Sequence, residues 1–439
     1  MLKISLARAS GTSRSAAILL TDLSFVLLQI TVTFGEKMLS TRLFCASIAS
    51  ISLFFAGSAA SCIGINAIRP GCNTSESAYH RDTFYIGGHY EIYNITEGTS
   101  IYSDQVYVEK LTPVHGLKKA TPIVFLSAGI PSGSLWLNTP DNRKGWASYF
   151  IDQGYQIYIL DITANGRSGQ NDLDKYPLRI GATDSNMQAG FTAPELDGAY
   201  PQATNHTQWP GNGTRGDPIF DAFMAAVVPL TSNSTSQELS MRAAGCKLLS
   251  LIGKSFLISH SAGGTYTALM SDECPDLIQA NINLEPGNIP FQWWSGNSSA
   301  GGDRIDTREY GLTRTPITYD PPITSSSELD KILVGNDSPA KRSCYIQNPN
   351  GTIHTLPNIA KVPYVFLTGD ASPHVTYDHC FPLFLNQAGV KDVTWIKLWE
   401  RGLLGNAHFF MIEKNNLEIA GVVAEWIEEF EKMMTTTKY

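Results

Sequence analysis

Basic residues are scarce in this chain, and they form no stripe. Lys and Arg number 32 against 40 Asp and Glu, a formal charge of −8 over 439 residues, and charged residues make up only 16%. Such a chain has little with which to displace counterions from a polyanion, which argues against nucleic acid or an anionic membrane surface as partner. The low charge stands beside 43% hydrophobic residues, a balance that excludes a largely disordered chain. Internal repeats and heptad runs are absent. So is metal-ligand spacing: His374 and His379 lie close in sequence, but the neighbouring Cys380 is better used in a disulfide. No glycine-rich phosphate cradle occurs either. Neither a metal nor a cofactor is expected.

Residues 1–61 do not read as fold. From Met38 the run MLSTRLFCASIASISLFFAGSAAS carries one Arg, an apolar stretch, then small residues suited to cleavage. That is the layout of a secretory signal peptide over 38–61. A second apolar run, 16–34, is interrupted by Asp22. It reads as a signal anchor, which would tether the protein to a membrane, or as translation taken from Met1 rather than Met38. The second reading is favoured, because two export signals in series serve no purpose.

Two further features agree with export. Asn-x-Ser/Thr sequons occur at Asn73, Asn94, Asn205, Asn212, Asn233, Asn297, Asn336 and Asn350. Without Cys45 of the signal segment, Cys62, Cys72, Cys246, Cys274, Cys344 and Cys380 remain, an even set that points to three disulfides. Sequential pairing is the expectation. A secreted glycoprotein follows from these signs together.

From residue 62 on, strand-like and helix-like segments alternate, the pattern of an α/β protein with a mostly parallel central sheet flanked by helices. Strands are expected over 84–93 and 103–114 as an opening hairpin, then at 122–127, 155–162, 254–261, 279–285, 362–368 and 393–399. Helices are expected over 146–153, 220–230, 236–252, 264–271 and 413–433. Periodicity fails over about 170–218 and 290–357, where Gly, Pro, Asn and Thr accumulate. Loops of that length are functional insertions more often than connectors, so one domain over 62–439 with two cap-forming insertions is expected.

The chemistry centres on S-H-S-A-G, with Ser261 at its middle. A strand that turns sharply into a helix lifts a serine hydroxyl above the sheet, where a base can reach it. The backbones crowd at such a turn and demand small residues two positions to either side, here Ser259 and Gly263. The N–H of Ala262, at the helix start, is placed to meet a developing oxyanion.

With this motif after several expected strands, the chain from about residue 84 onward resembles the α/β-hydrolase superfamily. More narrowly, it is similar to a branch of bacterial and fungal esterases that share a block after the third strand. That block stands here as AGIPSGSLW, TPDNRKGW and GRSG. The resemblance implies the α/β-hydrolase fold, a serine nucleophile at Ser261, and a base near the C-terminal end. Only His408, in RGLLGNAHFFMIEKNN, follows the last expected strand, whereas His260 should point away from the serine. For the acid, position alone favours Asp370 at the end of the seventh strand; the branch uses a glutamate after the sixth, which implies Glu285 in NINLEPG. The resemblance also implies Gly129, with Ile130 beside it, as the second oxyanion donor. Asp141 and Arg143 are expected to be structural.

A serine activated in this way is built for acyl transfer through an acyl-enzyme, and water as acceptor makes it a carboxylic ester or lactone hydrolase. Trp136, Trp293 and Trp294 are candidates to line an apolar pocket under the insertions. Two other readings stay open: an acyltransferase of secondary metabolism using the same triad, and a non-catalytic binding protein on the same fold.

Overall fold

The computed structural model describes residues 62–127, 129–169, 171–295 and 302–436. The expected signal segment 1–61, the apolar run 16–34 and Asn297 lie outside the described residues. Eight strands form one sheet: β1 (Tyr79–Asn94), β2 (Thr99–Pro113), β3 (Ile123–Leu126), β4 (Ile157–Asp161), β5 (Ser255–His260), β6 (Ile278–Leu284), β7 (Tyr364–Thr368) and β8 (Val393–Lys397). Their spatial order is β1-β2-β4-β3-β5-β6-β7-β8. The first two strands are an antiparallel hairpin, β2 runs antiparallel to β4, and every later pairing is parallel.

The short strands read as unbroken apolar runs because both faces of the sheet are covered. Ile123 and Phe125 of β3 join one core, whereas Val124 and Leu126 join the other. The first core is closed by α1 (Trp146–Asp152), α2 (Pro218–Ala225) and the C-terminal α6 (Asn416–Thr436), through Phe150, Phe223, Ile419 and Val423. The second is closed by α3 (Ser234–Ile252), α4 (Gly263–Glu273) and α5 (Cys380–Gln387), through Met241, Leu269 and Phe384.

Two helix boundaries depart from expectation. The helix expected over 220–230 ends at Ala225, and Leu230–Thr231 instead pairs with Leu178–Arg179. Pro229 disfavours helical backbone at the residue before it. The last helix starts at Asn416, because Glu413 turns inward, fully buried, and accepts bonds from Ala407 N and Asn406 Nδ2.

The disulfides are sequential: Cys62–Cys72, Cys246–Cys274 and Cys344–Cys380. Asn73, Asn205, Asn212, Asn336 and Asn350 are exposed. Asn233 is different. Its side chain caps α3, and its amide nitrogen donates to Lys175 O (2.9 Å) and Ser236 Oγ (2.9 Å), so the atom a glycan would take is engaged. Among the described residues no helix is long and apolar enough to cross a membrane.

Candidate active site

Ser261 sits on the tight turn between β5 and α4, with φ at +52°. A left-handed serine is costly for an L-residue and persists only where its surroundings enforce it. Here its N–H donates to Leu284 O (3.0 Å), and its carbonyl accepts from Gly287 N (2.7 Å) and Gly264 N (3.0 Å). The crowding read from the motif is real: a Cβ on Gly263 would lie 3.1 Å from Leu126 O and 3.3 Å from Ser259 Cβ. Glu285, at the end of β6, is left-handed too, with φ at +47°. Both adjacent strands therefore end in a forced turn.

His408 follows the last strand, as expected, and its Nδ1 lies 2.7 Å from Glu285 Oε2. The Glu285 carboxylate also accepts from Ser372 Oγ (2.6 Å) and Gly369 N (2.8 Å). Burial raises the Glu285 pKa and Asp378 adds to the rise, while the bonds from Ser372 and Gly369 oppose it. Burial holds His408 well below the usual histidine range, with His260 and His374 adding to the effect. A neutral imidazole with Nδ1 committed to a carboxylate has Nε2 left as its basic atom.

Asp370 does not meet the histidine. Its carboxylate accepts from Gly405 N (2.7 Å) and Asn406 N (3.3 Å), which makes it a brace for the loop that leads to His408.

Ser261, Ala262, Ile130 and His408 line one cavity of about 400 Å³. The irregular stretch 171–218 contributes Met187 and Phe191 to its wall, and the stretch that follows β6 contributes Trp293 and Arg308. Phe191 packs over His408 with ring centroids 4.8 Å apart. Ala262 immediately precedes α4, where the first N–H groups of a helix lack intrahelical partners. Gly129 is buried with φ at +88°, and its carbonyl accepts from Asn165 Nδ2 (3.0 Å). Ile130, not Gly129, is the member of that loop that reaches the cavity wall.

The three tryptophans separate. Trp293 lines the cavity. Trp136 does not: it is fully buried and stacked on Phe125 at 4.6 Å, because the 3-10 turn Gly133–Trp136 swings it under the sheet. Trp294 is also buried, stacked on Tyr377 at 4.6 Å, since alternate residues of the short strand Gln292–Trp294 face opposite ways. The pocket role expected for Trp136 and Trp294 is therefore corrected.

Several residues support His408 through contacts that the sequence did not show. His374 stacks on His408 (4.8 Å, 10° between planes) and bonds Asp378 Oδ1 through Nδ1 (2.7 Å). His260, expected to turn away, packs its ring 4.4 Å from that of His408 and its Nε2 lies 3.0 Å from His408 O. Arg143 is structural, as expected, but its work is at the histidine loop: it donates to the carbonyls of Ile412 (2.9 Å), Glu413 (3.0 Å) and Lys414 (3.2 Å) and to Asn416 Oδ1 (2.9 Å). Glu285, His374 and His408 also stand close enough to share a cation, but the direct bond between Glu285 and His408 already occupies two of the three ligand atoms.

No family model matches the chain. It is 35% identical over 353 residues to a probable secreted lipase, phiG, of a fungal species (strain ATCC 74256), covering 79% of this chain and 89% of that one. Among solved structures, a bacterial esterase superposes with a TM-score of 0.53 at 19% identity, covering 81% of this chain and 98% of the other; that likeness speaks to the fold. With the sheet order and the strand–turn–helix serine, these matches lead to one conclusion: the chain belongs to the α/β-hydrolase superfamily, among its lipases and esterases.

Proposed function

We propose that this protein is a secreted serine hydrolase that cleaves a carboxylic ester or lactone through an acyl-enzyme on Ser261. The observation that carries the proposal is the bond between His408 Nδ1 and Glu285 Oε2, made beside a cavity that Ser261 and His408 line together. In this reading His408 Nε2 takes the Ser261 proton as Oγ attacks the substrate carbonyl carbon. The N–H groups of Ala262 and of the Gly129–Ile130 loop receive the oxyanion. Collapse expels the alkoxide, which leaves with the proton held by His408. Water, deprotonated by the same imidazole, then releases the acid and frees Ser261. Glu285 keeps the imidazole in the tautomer that presents Nε2 as base. Export is supported by the signal-like segment 38–61, by the three disulfides and by the likeness to a probable secreted lipase.

The test is a fluorophosphonate probe on the secreted protein, followed by peptide mapping, with Ser261→Ala as control. Labelling at Ser261 that disappears in the variant, together with turnover of a short-chain aryl ester, is expected. A folded protein that neither labels nor turns over any ester refutes the reading.

A further inference from the structure

The cavity beside Ser261 carries more positive charge than ester cleavage requires. Its described lining includes three guanidinium groups, Arg179, Arg308 and Arg314, against one carboxylate, Glu238. That carboxylate is already occupied: it accepts from Arg314 N (3.0 Å), Thr315 N (2.8 Å) and Thr315 Oγ1 (2.9 Å), and the Arg314 guanidinium lies 3.6 Å away.

Arg308 is the unusual member. It is 6% exposed, and among the described residues it makes no direct ion pair, Glu238 acting on it only at longer range. Its hydrogen bonds all go to neutral backbone carbonyls: Nη1 to Gln292 O (2.8 Å) and Ile289 O (3.4 Å), and Nη2 to Gly287 O. Its Nε has no hydrogen-bond partner, and its guanidinium lies 5.4 Å from the Trp293 ring centroid. The backbone at Arg308 is left-handed, with φ at +55°. Burial lowers its pKa to about 9, which still leaves a cation at neutral pH. A buried charge without a counter-ion is costly unless something arrives to pair with it.

We propose that the cavity wall formed by Arg308, flanked by Arg179 and Arg314, is a subsite for a carboxylate carried by the substrate, so that the preferred substrate is an acidic ester or lactone. This rests on the hydrolase reading given above. Arg308 has a single unbonded donor, the buried Nε, beside its charge, and one donor suits a small monoanion better than a phosphate dianion that needs several. Arg179 stands at the exposed side of the cavity, where its bond to Ile180 O (3.3 Å) leaves its other donors available to a ligand. Trp293 supplies an apolar face for the carbons between the carboxylate and the scissile bond.

Two substrate pairs test this on the unmodified enzyme. The mono-4-nitrophenyl ester of glutaric acid against 4-nitrophenyl pentanoate places the carboxylate on the acyl side. Pentanoate esters of 4-hydroxybenzoic acid and of phenol place it on the alcohol side. We expect kcat/KM to be at least tenfold higher for the acidic member of one pair, with the preference weakening as salt is raised. Arg308→Gln lowers that ratio at least tenfold. Because Arg308 also ties down the carbonyls of 287–292, Arg179→Gln serves as the second variant, with a smaller fall of about threefold. Using ratios cancels any general loss of activity.

A ratio near one for both pairs, with Ser261 still labelled and neutral esters still cleaved, overturns the subsite and leaves the hydrolase reading intact. A preference that survives both substitutions places the anion elsewhere and also overturns it. Absence of labelling and of all turnover removes the hydrolase reading, and the subsite with it.

Discussion

Replacing Glu285 by glutamine removes one charge and almost no volume, and its consequence follows from which groups face the carboxylate. Three donors converge there: His408 Nδ1 at 2.7 Å, Ser372 Oγ at 2.6 Å and Gly369 N at 2.8 Å. A carboxylate satisfies all three because it only accepts. A glutamine must keep its oxygen on Gly369, since that N–H can do nothing but donate. Its NH2 then faces Ser372 and His408. The serine hydroxyl rotates to accept. The imidazole can accept at Nδ1 only by moving its proton to Nε2, which removes the base from the serine. In a comparable triad the amide replacement costs about 10⁴ in kcat, so Glu285→Gln is expected to lower kcat/KM by about 10³–10⁴, roughly 4–5.5 kcal/mol of transition-state stabilisation. Asp370→Asn is the matched control. It weakens two backbone bonds, to Gly405 N and Asn406 N, and should cost less than about tenfold. Hydrolysis of a short-chain aryl ester, with thermal melts to confirm folding, separates the two. The reasoning is refuted if Asp370→Asn abolishes turnover while Glu285→Gln stays within tenfold of the parent.

Burial, reinforced by His260 and His374, holds His408 well below the usual histidine range. The basic form therefore persists into acid, and kcat/KM should already be on its plateau at pH 6.5; an acid limb centred above that value counts against the assignment. His206 is the opposite case. Burial works to lower its pKa, but bonds to Glu195 (2.7 Å) and Glu413 (3.1 Å) outweigh burial and raise it to about 9. A folded pKa above the unfolded value near 6.5 makes the stabilisation complete below about pH 6.5 and lost as pH rises through 9, worth about 2–3 kcal/mol after allowance for the partial exposure of Glu195. Melts across pH 6–10 should show that slope in the parent and lose it in His206→Gln. Trp136→Ala should destabilise by about 3–5 kcal/mol, as a core truncation does. Trp293→Ala should shift the melt less and act on KM; equal effects on stability would contradict the separation of the two rings.

The strand–turn–helix that carries Ser261, the proposed nucleophile, was legible because all it needs lies within a few residues: an apolar strand, a turn, and small side chains where the backbones cross. The two-faced apolar runs of β3 to β7 were legible for a similar reason, since a strand buried on both sides needs no alternation. The acid was not. Glu285 and Asp370 end neighbouring parallel strands and differ in which side chain turns toward His408, a choice set by the left-handed backbone at Glu285 and the N–H groups of 405–406 that hold Asp370. Nor were His260, His374 and Asp378, because their value lies in stacking and bonding within a cluster that converges from separate strands and loops.

The loop that carries His408 shows why a local motif cannot contain the whole site. Arg143, in the block after β3, takes the carbonyls of Ile412, Glu413 and Lys414. His206, in the stretch 171–218, takes the Glu413 carboxylate, which in turn holds Ala407 N and Asn406 Nδ2. Asp370, after β7, takes Gly405 N. Segments between 35 and 271 residues away in the chain therefore fix the His408 loop, Arg143 and Asp370 through its backbone and His206 through the Glu413 carboxylate. The chemistry proposed for the serine turn is local, but His408 meets Glu285 at the end of β6 only because these distant braces hold its loop. A substitution at Arg143 or His206 should then lower turnover without touching substrate, because either one releases the same loop.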